Sequence, residues 1–442
     1  MSWIMVQNPS VVPLWGIRML GLSKKDKRKI GRFGSGLKEA VCLLLRKKVG
    51  FVMYCGGTRV DFRIEQRGGV DEVCFRLDSP FDGYDPGIWH GMNLSPDFGH
   101  HDWKDMWQAF REIFCNAIDE CWADRRFDKS LLHHDVVPEP VGVAGCTRVF
   151  IEVDFETMRT YGDLPERLLM LGDREVECET AYGTFYPGKG HVYTKGVWVQ
   201  EIHKEALFDF DITSLELTES RTTDHWTVRS RIAKMYSAAD QAIVGTLLVA
   251  LREASMNGER SLMELEIHHN SYLAHEDYKR VWQSAWENIF GTKAVACPQE
   301  TMFYDLLRAK GYTPILFKEE PLEVLRLFDI PFYEKLLSPT EQKGLQAVTH
   351  IRSGWFDAIV RELQAKGLLE QSPICKIFKC TQHQKGHCVD GNTVWLDQDI
   401  IGSTREQHAI LLCLAEISAG DSGAGCVDEI LRWNVELLGA TQ

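Results

Sequence analysis

The sequence predicts an α+β protein, and three stretches carry that reading. "GCTRVFIEVDF", residues 145–155, alternates apolar and polar side chains over the length of a strand. "WKDMWQAFREIFCNAIDECWAD", residues 103–124, repeats its apolar positions at three- and four-residue steps instead. Trp107, Phe110, Phe114, Ala117, Ile118 and Cys121 fall on one side of a helix. "IGRFGSGLKEA", residues 30–40, is a glycine turn that runs into a second helical stretch, "LKEAVCLLLRKK".

Taken in order, the chain starts with "WIMVQNPSVVPLWG", residues 3–16, which reads as a strand and its exit. "GLSKKDKRK", residues 21–29, is too polar and basic for a central strand. The loop that follows has the pattern Gly31-x-x-Gly34-x-Gly36-Leu37-Lys38. A Walker A loop needs Gly-Lys-Ser/Thr, and here Leu37 stands between Gly36 and Lys38. A dinucleotide fingerprint needs a strand directly before its glycines. What remains is a basic segment and a glycine turn opening a helix, whose free N–H groups would face an anion beside Lys25 and Lys38. The alternative is an ordinary glycine-rich turn before a surface helix. On the later helix Glu112 and Asn116 are four residues apart and share a face; alone, Glu112 reads as a solvated helix carboxylate.

Composition bounds the rest. The chain has 442 residues, 44% hydrophobic and 26% charged, enough for two to four domains. A net charge of −13 argues against a surface built to grip duplex DNA, although a local basic patch is compatible with it. The 13 cysteines follow no disulfide framework and read as buried thiols of a cytoplasmic protein. The start lacks a signal-peptide pattern, and no apolar run reaches the roughly 18 residues of a membrane span.

"LGLSKKDKRKIGRFGSGLKEA", residues 20–40, resembles the lid and third nucleotide motif of the GHKL ATPases, the class of DNA gyrase B, MutL, the large heat-shock chaperone and histidine kinases. "REIFCNAIDE", residues 111–120, resembles that class's first motif, which normally precedes the glycine loop. The pieces are present in rotated order, so the resemblance implies a circularly permuted Bergerat α/β sandwich. It is similar to a family of phage and bacterial ATP-binding proteins, whose "LTEDRT" segment also resembles "LTESRTTDHW", residues 217–226.

This resemblance implies ATP and Mg²⁺ as cofactors and slow hydrolysis that drives a conformational or assembly switch. Glu112 would be the general base and Asn116 the magnesium ligand. Ser23, Lys25, Gly31, Gly34, Gly36, Leu37 and Lys38 would cradle the phosphates. Lys195 and Arg221 would reach back from a second domain to the terminal phosphate, against the alternative that both are solvated strand-end cations. The family's adenine-binding aspartate is missing. Gln7 and Asn8 stand in its place, with Ser95 as the supporting hydroxyl. Relatives dimerise through the lid, so a homodimer is compatible, and a protein or nucleic-acid client is unspecified. The second function class is a nucleotide-sensing interaction module that does not hydrolyse.

The expected domains are 1–160 (ATP binding), 161–260 (transducer-like), 261–335 (small α/β) and 336–442 (mostly helical). In the last, Cys375, Cys380, His383, His387 and Cys388 offer zinc ligands without a paired spacing. "LLCLAEISAGDSGAG" resembles a zincin helix with alanines, Ala415 and Ala419, where both histidines would stand; it cannot hold zinc.

Overall fold

Strand alternation decides which side of the first sheet is covered. A computed structural model describes residues 2–14, 30, 36–100, 102–123, 126–218, 221–257, 262–298, 304, 307–336, 345–347, 353, 355–369, 372–380, 387–390, 392–403 and 405–419. These form a mixed α+β structure that divides into two compact units. The first comprises Met1–Ala239 with Ser261–Ile267, and the second Asp240–Arg260 with His268–Gln442.

The first unit begins with β1 (Trp3–Asn8), α1 (Gly36–Arg46), β2 (Phe51–Cys55), β3 (Thr58–Arg67), β4 (Val70–Leu77), β5 (Trp89–Gly91) and α2 (Met106–Glu120). After a short hairpin, β6 (Trp122–Ala123) and β7 (Arg126–Phe127), come β8 (His133–Val137), β9 (Thr147–Glu152) and α3 (Phe155–Gly162). Seven of these strands make one antiparallel sheet in the order β5-β4-β3-β2-β9-β1-β8. Ile4 and Val6, Phe51 and Met53, and Val149 and Ile151 point to the face that α1 and α2 cover. Met5, Val52, Tyr54 and Phe150 form a smaller cluster on the other face. β9 lies between β2 and β1, with Arg148 opposite Gln7. The strand reached after α2 therefore closes against the start of the chain.

Next come α4 (Leu164–Arg167), β10 (Cys178–Thr180), β11 (Gly183–Pro187), β12 (His191–Thr194), β13 (Val197–Glu201), β14 (Phe208–Ile212) and α5 (His225–Ser237). Residues 190–202 form a hairpin, because Lys195 and Gly196 take consecutive left-handed conformations, φ 52° and 73°, and reverse the chain. The five-stranded sheet runs β10-β11-β14-β12-β13 around Phe185, Phe208, Phe210 and Tyr236. It is tied to α2 by a stack in which the Arg167 guanidinium lies 5.1 Å from the Trp107 ring and 5.0 Å from that of Trp198. Arg167→Ala is expected to lower unfolding stability by about 1 kcal/mol, read from the denaturant midpoint at unchanged slope.

The second unit opens with α6 (Gln241–Asn257), which packs against α7 (Glu276–Phe290) and the parallel pair β15 (Ala294–Pro298) and β16 (Thr313–Phe317); α8 (Glu319–Leu327) follows. The helix over 241–257 thus belongs with what comes after it, and the unit boundary falls at 239 rather than 260. The described part of 336–442 is not mostly helical. It carries a four-stranded sheet, β17 (Leu345–Ala347), β18 (Ile374–Cys380), β20 (Thr393–Asp397) and β19 (His387–Asp390) in that order, with helices α9 (Phe356–Ala365) and α10 (Glu406–Ala419). Runs such as "ICKIFKC" and "TVWLD" supply the β-branched and aromatic residues that favour strands. Among the described residues no helix is long and apolar enough to cross a membrane.

Candidate active site

Helix α2 is fixed at its start by a capping box, in which Asp105 accepts the N3 backbone N–H and Gln108 reaches back to the cap. Its apolar stripe is buried from Met106 to Ile118. Glu112, Asn116 and Asp119 occur at i, i+4 and i+7, so they share one face. Glu112 and Asp119 are buried there, and Asn116 is half-buried.

Three parts of the chain converge on the Glu112 carboxylate. Arg221 Nε lies 2.8 Å from Oε1, and its Nη2 donates to Oε2 at 3.3 Å. Arg111 Nε donates to Oε1 at 3.1 Å. The third neighbour is Gly36, the first residue of α1: a Cβ placed on it would lie 2.2 Å from Oε2 and 2.7 Å from Cδ. Glycine is required here by close approach, and it lets the start of α1 stand against a carboxylate. The carboxylate is shared unequally. Burial alone would pull the Arg221 guanidinium down, but Glu112 outweighs it and holds Arg221 above its ordinary value. For Arg111 burial prevails over the same carboxylate and the value falls. Its Nη2 is buried with no hydrogen-bond partner among the described residues.

Arg221 is presented by a closed turn. Its own N–H donates to the Thr218 carbonyl at 2.9 Å, and the Thr222 N–H donates to Thr218 Oγ1 at 3.1 Å. Its φ is 60°, unusual for a residue with a Cβ. Lys195, with φ 52°, lines the same narrow cleft of about 30 Å³ as Arg221, together with Ile30, Thr194, Thr213 and Leu217. Two of the sequence-predicted cations thus share one cleft, both in strained backbone conformations. Ile30 also lines it, and its N–H donates to Asp119 Oδ1 at 2.7 Å. Lys38, in the first turn of α1, is buried, and burial lowers its pKa.

The base end is arranged differently. Gln7 Oε1 accepts from Arg148 Nε at 2.6 Å, and Asn8 Oδ1 accepts from the Ser10 N–H and hydroxyl at 3.1 and 2.9 Å. Both oxygens offered to a base are thus engaged within the chain. Ser95 follows β5, where its carbonyl accepts from Cys42 Sγ at 3.7 Å and its Oγ from the Asp97 N–H at 3.2 Å. The contacts of Ser95 are thus with the helix over the sheet and with its own loop. Ser23, Lys25, Gly31 and Gly34 lie outside the described residues, as do His383 and the side chains of Cys380, His387 and Cys388. Ala415 is buried in the core of its subdomain, and among the described residues no three metal-ligating side chains cluster.

Sequence reasoning passed over four residues. Arg111 stood inside the quoted motif, and its signal was an arginine between Phe110 and Ile113 on a buried helix. Asp119 stood there too, on the same face as Glu112. Thr147, opposite Asn8, accepts the Val12 N–H at 2.9 Å and donates to the Ser10 carbonyl at 2.6 Å, shaping the exit of β1. Asp211 on β14 accepts the Gly196 N–H with both oxygens, at 3.1 and 3.0 Å.

Asp211 gives a pH-dependent expectation. Burial pushes its carboxyl up to about 6, against the downward pull of the Gly196 N–H. A carboxylate whose folded pKa is raised favours the folded state only while protonated, so stability is lost as pH rises from about 4 through 6. Asp211→Asn is therefore expected to be more stable than wild type by about 1–2 kcal/mol at pH 8, with the gain vanishing toward pH 4 in denaturant titrations. No protein-family model matches the chain, and no curated protein matches it either.

Proposed function

We propose that the first unit is a circularly permuted Bergerat fold that binds ATP with magnesium and hydrolyses it slowly, in the cytoplasm, to drive a conformational or assembly switch. The observation that carries this reading is the convergence of Gly36, Glu112 and Arg221, from three distant parts of the sequence, on one carboxylate. The pairing of β9 with β1 supports it, since a rotated order calls for that adjacency.

The residues present fit the phosphate end of such a ligand. Gly36 lets the start of α1 stand against Glu112, Arg111 carries a buried donor with no partner among the described residues, and Lys195 and Arg221 share a cleft. Magnesium takes oxygen ligands, and the Asn116 amide is the protein oxygen placed one turn from Glu112 to hold it beside the phosphates. When bound it would supply neutralisation of charge on the transferring phosphoryl group. The chain's own residues do the rest. The start of α1 and Lys38 hold phosphate oxygens, Lys195 and Arg221 stabilise charge at the terminal phosphate, and Glu112 takes the proton of the attacking water. For that last role the carboxylate must be released from Arg221, and a phosphate at the cleft offers the guanidinium an alternative partner.

A second reading is a nucleotide sensor that closes without turnover. It is favoured by one observation, the two guanidinium groups already bound to Glu112. Mg²⁺-dependent phosphate release by wild type and by Glu112→Gln, beside ATP affinity for both, separates the two. The enzyme predicts retained binding with turnover reduced about 100-fold or more in the variant. Tight binding without turnover in wild type would establish the sensor, and no nucleotide binding at all would end both.

A further inference from the structure

The hairpin between β12 and β13 joins two costly choices at one point. A two-residue turn with both central residues at positive φ favours Asn-Gly, yet the first position here is Lys195. Beneath it lies Asp211, a carboxylate that burial makes unfavourable to ionise, spending both oxygens on the Gly196 N–H. Thr194 adds a bond from its hydroxyl to the Ile212 carbonyl at 2.8 Å, so β14 grips the turn on both sides of Lys195. Lys195 lies on the turn that Asp211 holds, and Asp209, two residues earlier on the same strand, pairs with Arg174 at 2.8 Å. Tyr186 on β11 lies within reach of Asp211, Arg174 and Glu179. An asparagine at 195 would make a better turn but would put no cation in the cleft beside Arg221.

We propose that Asp211 is a positioning residue. By holding the Gly196 N–H it locks the strained Lys195–Gly196 turn so that Lys195 faces the cleft shared with Arg221 and reads the terminal phosphate of the nucleotide. This rests on the nucleotide reading above, and it assigns terminal-phosphate recognition to a turn whose geometry is set from the neighbouring strand.

The test uses the full chain, a β,γ-imido analogue of ATP with Mg²⁺, and thermal unfolding alongside. Lys195→Asn is expected to raise the melting temperature while weakening analogue affinity about ten-fold, two effects of opposite sign that a purely structural residue would not give. Asp211→Ala is expected to weaken affinity similarly in wild type but to have no further effect in the Lys195→Asn background. Asp211→Asn keeps an oxygen for the Gly196 N–H and is expected to lose less than three-fold. Affinity unchanged in Lys195→Asn, or an Asp211→Ala loss of equal size in both backgrounds, would overturn the proposal while leaving ATP binding intact. Wild type that binds no analogue removes the nucleotide reading, and this inference with it.

Discussion

Glu112→Ala is expected to destabilise the first unit by about 3–5 kcal/mol, more than the loss of any single surface ion pair. The reason is what the substitution leaves behind. Arg221 and Arg111 are both buried against this carboxylate, and removing it takes away the counter-charge that pairs with both guanidinium groups. Glu112→Gln keeps an oxygen but not the charge, and is expected to fall between wild type and alanine. Removing Arg221 as well should recover part of the loss, because one fewer buried cation then lacks its partner. Denaturant titrations of the four proteins measure this directly. A loss below about 1 kcal/mol in Glu112→Ala would mean that water replaces the carboxylate freely and that the site is far more open than its geometry suggests. The same logic makes Glu112→Gln the better variant for the hydrolysis assay, since its turnover can be read on a folded protein.

What the sequence made legible was local. The amphipathic period of α2 and the alternation of β9 were plain, and the i, i+4 spacing of Glu112 and Asn116 placed them on one face. The glycine loop resembled a phosphate-binding element, and Gly36 does stand against Glu112. Contacts across the chain were not legible. Nothing in "LTESRTTDHW" shows that Arg221 sits in a left-handed turn or that its partner is 109 residues earlier. The hairpin over 190–202 was hidden because lysine is a poor marker of a turn that asparagine usually announces. Arg111 was overlooked because arginine on a helix is normally a surface residue, and only packing shows this one to be buried.

Gly36→Ala is expected to show the convergence most sharply, because the sign of its effect should depend on a residue 76 positions away. Position 36 opens a helix, where alanine is intrinsically better than glycine by roughly 0.5–1 kcal/mol. In wild type that gain is overridden. The new Cβ would fall 2.2 Å from Glu112 Oε2, and this carboxylate cannot swing aside without breaking its bonds to Arg221 and Arg111. The net result is a loss of about 1–3 kcal/mol, the usual cost of forcing a methyl into a filled site. In Glu112→Ala the obstruction is gone, so the same substitution should become neutral or stabilising. The coupling energy across this cycle is therefore expected to reach about 2 kcal/mol or more, measured by denaturant unfolding of the two single variants, the double variant and wild type. Equal losses in both backgrounds would mean that Gly36 and Glu112 do not meet, and with that the case for one phosphate site assembled from the glycine loop and α2 would fall.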